Sequence, residues 1–282
     1  MDVEIELHPV GPDGNEFRTK PGKEFSSVVA QSNRSDALLM RANIANITHG
    51  ELTPDGEPAT LLIFEFRFIS MQSSRRFTSC IISVIFTDAN GDPELQPEVY
   101  RIAPEGVFAL NKTSLKKSVT LSVDGRVGGQ ASPFSANAGY KWEMTERKQK
   151  DYWTRLSGTK KLLRGSHHDD AAMWSMEENK NTKDGIPTFL RTAILLRRDT
   201  DEPFSLTVEV TSEVDFMSEL VSRSLFGRKK VDEVRPTEIS AGDDPHDLRI
   251  ESLDPSVVDL TNMGRLNLSD HANVIIATMI ET

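Results

Sequence analysis

From Ala59 to Ala89 apolar and polar side chains take turns along the chain. Leu62, Phe64, Phe66 and Phe68 form one row; Cys80, Ile82, Val84 and Phe86 form another, set against Phe77, Ser79, Ile81, Ser83 and Ile85. A period of two over this length is what a half-buried antiparallel sheet requires. The same reading predicts strands at Val3–Leu7, Leu38–Ile47, Leu61–Ser70, Phe77–Thr87, Val99–Ile102, Val107–Leu110 and Val119–Val123. A second set follows at Gly139–Thr145, Tyr152–Ser157, Met173–Glu177, Phe189–Arg197 and Phe204–Val214. Leu38–Ile47 also suits a short helix through Leu38, Leu39, Ala42 and Ala45.

Turn residues that tolerate positive φ separate these runs: Pro12-Asp13-Gly14, Pro54-Asp55-Gly56, Asn90-Gly91 and Asp124-Gly125. Many short strands with frequent turns favour a sandwich or barrel over a βαβ fold. One segment differs. Met217, Leu220, Val221 and Leu225 fall on one helical face, with Asp215 or Ser218 as cap and Gly227 as stop. Past Pro236 the chain turns acidic, yet Val257, Val258, Leu260, Leu266, Leu268 and Val274–Ile276 are too apolar for a disordered tail. The prediction is a mainly β protein: an antiparallel β-sandwich over residues 1–236 with one short helix, and an acidic C-terminal extension, 237–282, packed on it.

In Phe189–Arg197 both alternating rows are largely apolar, the pattern of a central strand covered on two sides. Arg191 lies on one of those faces, so a buried pair with Glu177 or Glu178 is expected.

The 282 residues are enough for a core without disulfides, and the single Cys80, mid-strand among apolar neighbours, reads as a buried, inert thiol. The opening MDVEIELHPV is acidic and alternating, unlike a signal peptide, and no apolar run approaches the ~18–20 residues of a spanning helix. A cytoplasmic protein is expected. The sequons at Asn33, Asn46, Asn111 and Asn267 carry little weight without a secretory signal.

Net charge is −10, which opposes general attraction to nucleic acid. The charge is unevenly spread. Lys141 to Arg164 holds eight basic and three acidic residues, whereas Thr237 to Thr282 holds two basic and nine acidic. Solvated faces account for most such runs. The basic run, however, is interleaved with aromatics. Lys141, Trp142, Arg147, Lys148, Lys150, Trp153 and Arg155 form the candidate binding surface, suited to stacking plus charge on a protein or an anionic ligand.

Residues 118–144 carry a second possibility. Val119, Leu121 and Val123 alternate with Ser118, Thr120, Ser122 and Asp124, and Phe134, Ala136, Ala138, Tyr140, Trp142 and Met144 alternate with Ser135, Asn137, Gly139, Lys141 and Glu143. A membrane-inserting β-hairpin has this design, and so does a soluble strand pair with one face on a core. The first arm alternates over only seven residues, against the ~9–11 that cross a bilayer.

Chemistry-bearing motifs are weak. His167-His168-Asp169-Asp170 offers at most two converging ligands along a strand, and the other histidines have no helpful spacing for zinc. Asp124-Gly125-Arg126-Val127-Gly128-Gly129-Gln130 lacks the Gly-Lys-Ser/Thr of a phosphate loop. No nucleophile elbow or His-Glu-x-x-His run occurs. No catalytic residue, metal ligand or cofactor is assigned.

From Ala172 the chain reads AMWSMEENKNTKDGIPTFLRTAILLRR and then EPFSLTVEV. With its Trp-x-x-x-Glu-Asn and Gly-Ile-Pro-Thr-x-x-Arg-x-Ala runs before a strand like Phe204–Val210, the region from about Ser118 to Val214 resembles an uncharacterised family of intracellular β-rich proteins from filamentous fungi. The resemblance implies a fungal cytosolic setting and carries over no functional residue, since that family has no assigned activity. Three classes follow: a non-enzymatic binding or interaction protein as the leading reading, a membrane-active hairpin inserting residues 118–144, and an enzyme with a pocket the residues do not reveal.

Overall fold

The computed structural model describes residues 28–33, 38–72, 74–123, 142–163, 167–215, 237–240, 253 and 258–275. Twelve strands lie among them. In chain order they are β1 (Val28–Asn33), β2 (Leu38–Glu51), β3 (Pro58–Ser70), β4 (Phe77–Asp88), β5 (Glu98–Ala103) and β6 (Gly106–Val123). Then come β7 (Trp142–Lys161), β8 (Ala171–Glu177), β9 (Phe189–Arg197), β10 (Phe204–Val214), β11 (Thr237–Ile239) and β12 (Asn273–Ile275).

They form two antiparallel sheets, and the protein is a β-sandwich. One sheet runs β1-β2-β3-β9, where β5 and β12 share the far edge of β9; the other runs β11-β10-β4-β8-β7-β6. Inward rows of both sheets meet in one core: Phe64, Phe66 and Phe68 of β3 with Ile82, Val84 and Phe86 of β4, and Trp174 of β8. This is the alternation visible in the sequence. Leu38–Glu51 is a strand despite its helical option, because ladder partners in β1 and β3 satisfy its backbone on both edges.

A second core lies on the outer side of the first sheet. Met263 and Leu268, from two 3-10 turns (Met263–Arg265 and Leu268–His271), are buried against Leu52, Leu61, Ile63, Ala193 and Leu195. Thus β9 is covered on both faces, with Leu190, Ile194 and Leu196 inward and Ala193 and Leu195 under the C-terminal residues. Those residues also bond to the sheet directly: the Glu51 amide donates to Leu260 O (2.7 Å) and the Gly264 amide to Leu52 O (2.8 Å).

The structure corrects two expectations. Arg191 is not buried: its side chain is 44% exposed, because the second core stops at Ala193, one outward position short of it. Its partner is Glu65 on β3, directly opposite, while Glu178 takes Arg76 instead (2.8 Å). Val107–Leu110 and Val119–Val123 are one strand, β6, and the second set's Tyr152–Ser157 belongs with Trp142–Thr145 in β7. Intervening charged residues hid the continuity. The expected helix through Met217–Leu225 and the expected strand Val3–Leu7 both lie outside the described residues.

Glu65 makes a pH-dependent contribution. Burial alone would raise its carboxyl pKa, but hydrogen bonds and positive charge from Arg191 and Arg67 outweigh that and hold it below the ordinary 4.5. A carboxyl lowered on folding stabilises the protein above its unfolded value and loses that effect as pH falls through its folded one. The stability deficit of Glu65→Gln is therefore expected to be largest near neutral pH and to shrink steadily below about pH 4.5 in urea unfolding series. A deficit that stays constant into acid would show that the ion pairs contribute nothing.

Candidate functional site

The predicted binding residues from Trp142 to Arg155 fall on the β6–β7 hairpin. Its base belongs to the sandwich. There β7 pairs with β8 from Arg155 (opposite Glu177) to Lys161, and with β6 from Gly106 (opposite Gly158) to Leu110 (opposite Thr154). Tight packing holds this corner. Gly158 lies under the fully buried Trp174, whose indole N–H donates to Pro104 O at 2.9 Å. A Cβ on Gly158 would stand 2.0 Å from that same oxygen.

At the next step the ladder breaks. Asn111 and Lys112 oppose Trp153 alone, and Asn111 sits at φ +47°, a left-handed conformation that asparagine tolerates better than most residues. Asn179, completely buried, donates from Nδ2 to Asn111 O (3.1 Å) while its own Oδ1 accepts the Asn181 amide (2.9 Å). The bulge is thus fastened to the β8–β9 loop. Beyond it, Thr113–Val123 and Tyr152–Trp142 pair with each other and, among the described residues, with no third strand. Eleven residues per arm give a ribbon about 35 Å long. This exceeds the seven-residue arm read from alternation alone.

Six of the seven predicted residues have a place on this hairpin. Trp142 is opposite Val123, Arg147 opposite Ser118, Lys148 opposite Lys117 and Lys150 opposite Leu115. Trp153 (43% exposed) and Arg155 stand at the base, on the outward face. Lys141 lies outside the described residues, as does the glycine-bearing segment 124–130. Trp153 and Arg155 border a shallow hollow of about 190 Å³ with Tyr152, Glu177, Glu178 and Lys180. Ligand pockets are usually about 300–1,000 Å³, so this hollow suits a side chain or a small ion better than a metabolite.

β6 adds what the basic run in β7 did not reveal. Lys112, Lys116 and Lys117 join Arg147, Lys148, Lys150, Arg155, Lys160 and Lys161, against Glu143, Glu146 and Asp151. The lysines were legible as residues; their meeting across the ladder was not. The roles of Asn111 and Asn179 at the ribbon's base were not read from the sequence; the only local hint is asparagine's tolerance of positive φ.

The His167–Asp170 segment builds a corner. The Nε2 of His168 bonds Gln96 O (2.9 Å), Asp169 pairs with Lys160 (3.7 Å) and Asp170 Oδ1 accepts the Leu163 amide (2.7 Å). Among the described residues no three His, Cys, Asp or Glu side chains converge as a metal site, and no helix is long and apolar enough to cross a membrane.

No protein-family model matches the chain. No curated protein matches it either.

Proposed function

We propose that this is a non-enzymatic binding protein that presents the β6–β7 ribbon to an anionic partner. One observation carries the reading: Lys117 stands directly across the ladder from Lys148, with Lys150, Lys116 and Arg147 one or two positions away. Like charges opposite one another destabilise a strand pair. A local conflict of this kind, in a chain of net charge −10, fits a surface kept for contact with negative charge. The acidic remainder of the molecule would repel the same partner and so orient the ribbon toward it. The setting we assign is the cytoplasm of a filamentous fungus. It rests on the sequence resemblance and on a sole cysteine, Cys80, buried in the sandwich core rather than used to staple the chain.

Immobilised heparin tests the reading as a generic polyanion. The full chain is expected to be retained at about 0.1 M salt, where charges beyond ~10 Å are screened, and to elute as salt rises. The double variant Lys117→Glu/Lys148→Glu is expected to flow through. Failure of the unaltered protein to bind, or equal elution of the two, overturns the proposal.

A further inference from the structure

Arg198 is a buried cation with most of its hydrogen bonds unmade. The inward row of β9 runs Leu190, Thr192, Ile194 and Leu196, and the next step of that alternation is Arg198. Its amide still donates to Pro58 O at 2.9 Å, so pairing with β3 carries it inward one position past the end of β9. There the side chain is 4% exposed, and its Cζ stands 5.7 Å from the centre of the buried Phe204 ring. Burial pushes its pKa below the ordinary arginine value, and the Asp201 charge offsets part of that; at neutral pH it is still a cation.

The bonds it makes do not match that charge. Nη2 donates to Asp201 Oδ1 at 3.3 Å, long against the about 2.7–2.9 Å of a good charge-assisted bond, and the Asp201 side chain is 77% exposed. Nε and Nη1, which carry most of the donors, are closed off from water and have no hydrogen-bond partner among the described residues. Arg197 beside it is different, being 41% exposed and held by Glu98 at 3.0 Å. A buried charge short of hydrogen bonds is costly, and an apolar side chain of similar volume would carry no such cost.

We infer that Arg198 anchors a site for a small oxyanion, a carboxylate or phosphate group, at the end of the sandwich where β9 passes to β10. The oxyanion takes the place of Asp201, whose exposed side chain turns out into solvent. It accepts from Nε and Nη2 together, the parallel pair that the guanidinium fork is shaped for and that Asp201 leaves half used. Asp199 and Glu202, exposed on the same loop, repel an incoming anion and keep the binding weak. The site is separate from the ribbon. Phe204 pairs with Asp88 at one end of β4, whereas Arg155 at the ribbon's base pairs with Glu177, and Glu177 with Ser79 at the other end. The two ends are about 30 Å apart.

Thermal unfolding of the full chain, followed by circular dichroism, tests this in sodium chloride with phosphate or acetate substituted at equal ionic strength. About 20 mM phosphate is expected to raise the midpoint by about 2–4 °C and to saturate. A larger rise with acetate marks a carboxylate as the preferred source and a larger rise with phosphate marks a phosphate; either supports the site. Arg198→Met should lose the rise. Should that variant not fold, Arg198→Lys decides, since it keeps the charge without the fork and should lose at least about half of the rise. Asp201→Asn, at an exposed position, should tighten phosphate binding by about threefold or more, because it removes the competing negative charge. Neither anion acting beyond chloride overturns the inference, with solvent then the partner of Nε and Nη1. An equal rise in the unaltered protein and in Arg198→Met overturns it too, because phosphate then acts as a general stabilising salt. Arg198→Met should keep its heparin retention, and Lys117→Glu/Lys148→Glu its phosphate response, so this site and the ribbon reading fail separately.

Discussion

Gly158→Ala is expected to destabilise the protein by about 3 kcal/mol, the upper end of the range for overpacking a filled site. The added methyl group would stand 2.0 Å from Pro104 O and 2.8 Å from Cδ1 and Nε1 of Trp174. None of these neighbours can yield cheaply. The oxygen is main-chain and already accepts the Trp174 indole N–H, and Trp174 is fully buried in the inter-sheet core. Relief requires β7 to move away from the β5–β6 corner or the indole to leave its acceptor, which strands the N–H of a fully buried tryptophan at about 1–3 kcal/mol. Trp174→Phe probes the second route: it keeps a ring in the core but removes the donor together with part of the indole's volume, so its cost is the sum of the two. Urea unfolding monitored by far-ultraviolet circular dichroism measures both. A Gly158→Ala midpoint indistinguishable from that of the unaltered protein would mean that the corner is not packed this closely. Because the same corner sets the register between β6 and β7, a folded but shifted variant should also weaken heparin retention.

How much of this was legible beforehand depends on how local the cause is. Phe64, Phe66 and Phe68, or Ile82, Val84 and Phe86, declare a strand through their own spacing, and each row lies in the inter-sheet core. The two apolar rows of β9 likewise announced two covered faces. What covered the second one was less visible. The placement of Arg191 depended on where Met263 and Leu268 run out, and no pattern within β9 encodes that. The ribbon shows the same division. Its basic residues and Trp142 stood out from composition. Its unbroken length was hidden by charged residues at Lys116–Lys117 and Glu146–Asp151, which interrupt the apolar rhythm while the backbone ladder continues through them. Leu121 stands opposite Met144 across a ladder whose register shifts at a bulge, and that bulge is bonded to Asn179 on a different loop. Pairing across a ladder is a non-local property, and sequence periodicity alone does not report it.

Removing the C-terminal residues from Ala241 onward is expected to leave a protein that retains its strands, binds a hydrophobic dye, and is far less stable. The outer side of the β1-β2-β3-β9 sheet is not built to face water. Leu61, Ala193 and Leu195 are completely buried there, with Leu52 and Ile63 nearly so, and Met263 and Leu268 close over them. An exposed apolar patch on an open sheet invites association, so the truncated chain should also aggregate on concentration. A point variant separates loss of packing from loss of chain. Met263→Ala, at a site with no exposure, should cost about 3 kcal/mol through lost burial and the cavity left behind. Gly50 provides a third measure from the sheet side. A Cβ there would meet Leu260 O at 2.4 Å and Met263 Sδ at 2.7 Å, so Gly50→Val should push the covering residues off without altering them. If these residues and the sheet act as one cooperative unit, the Met263→Ala and Gly50→Val costs will be strongly non-additive, because either change alone already loosens the same contact. Full additivity, or a truncated chain with an unchanged urea midpoint and no dye binding, would show that the second core contributes nothing to holding the sandwich together.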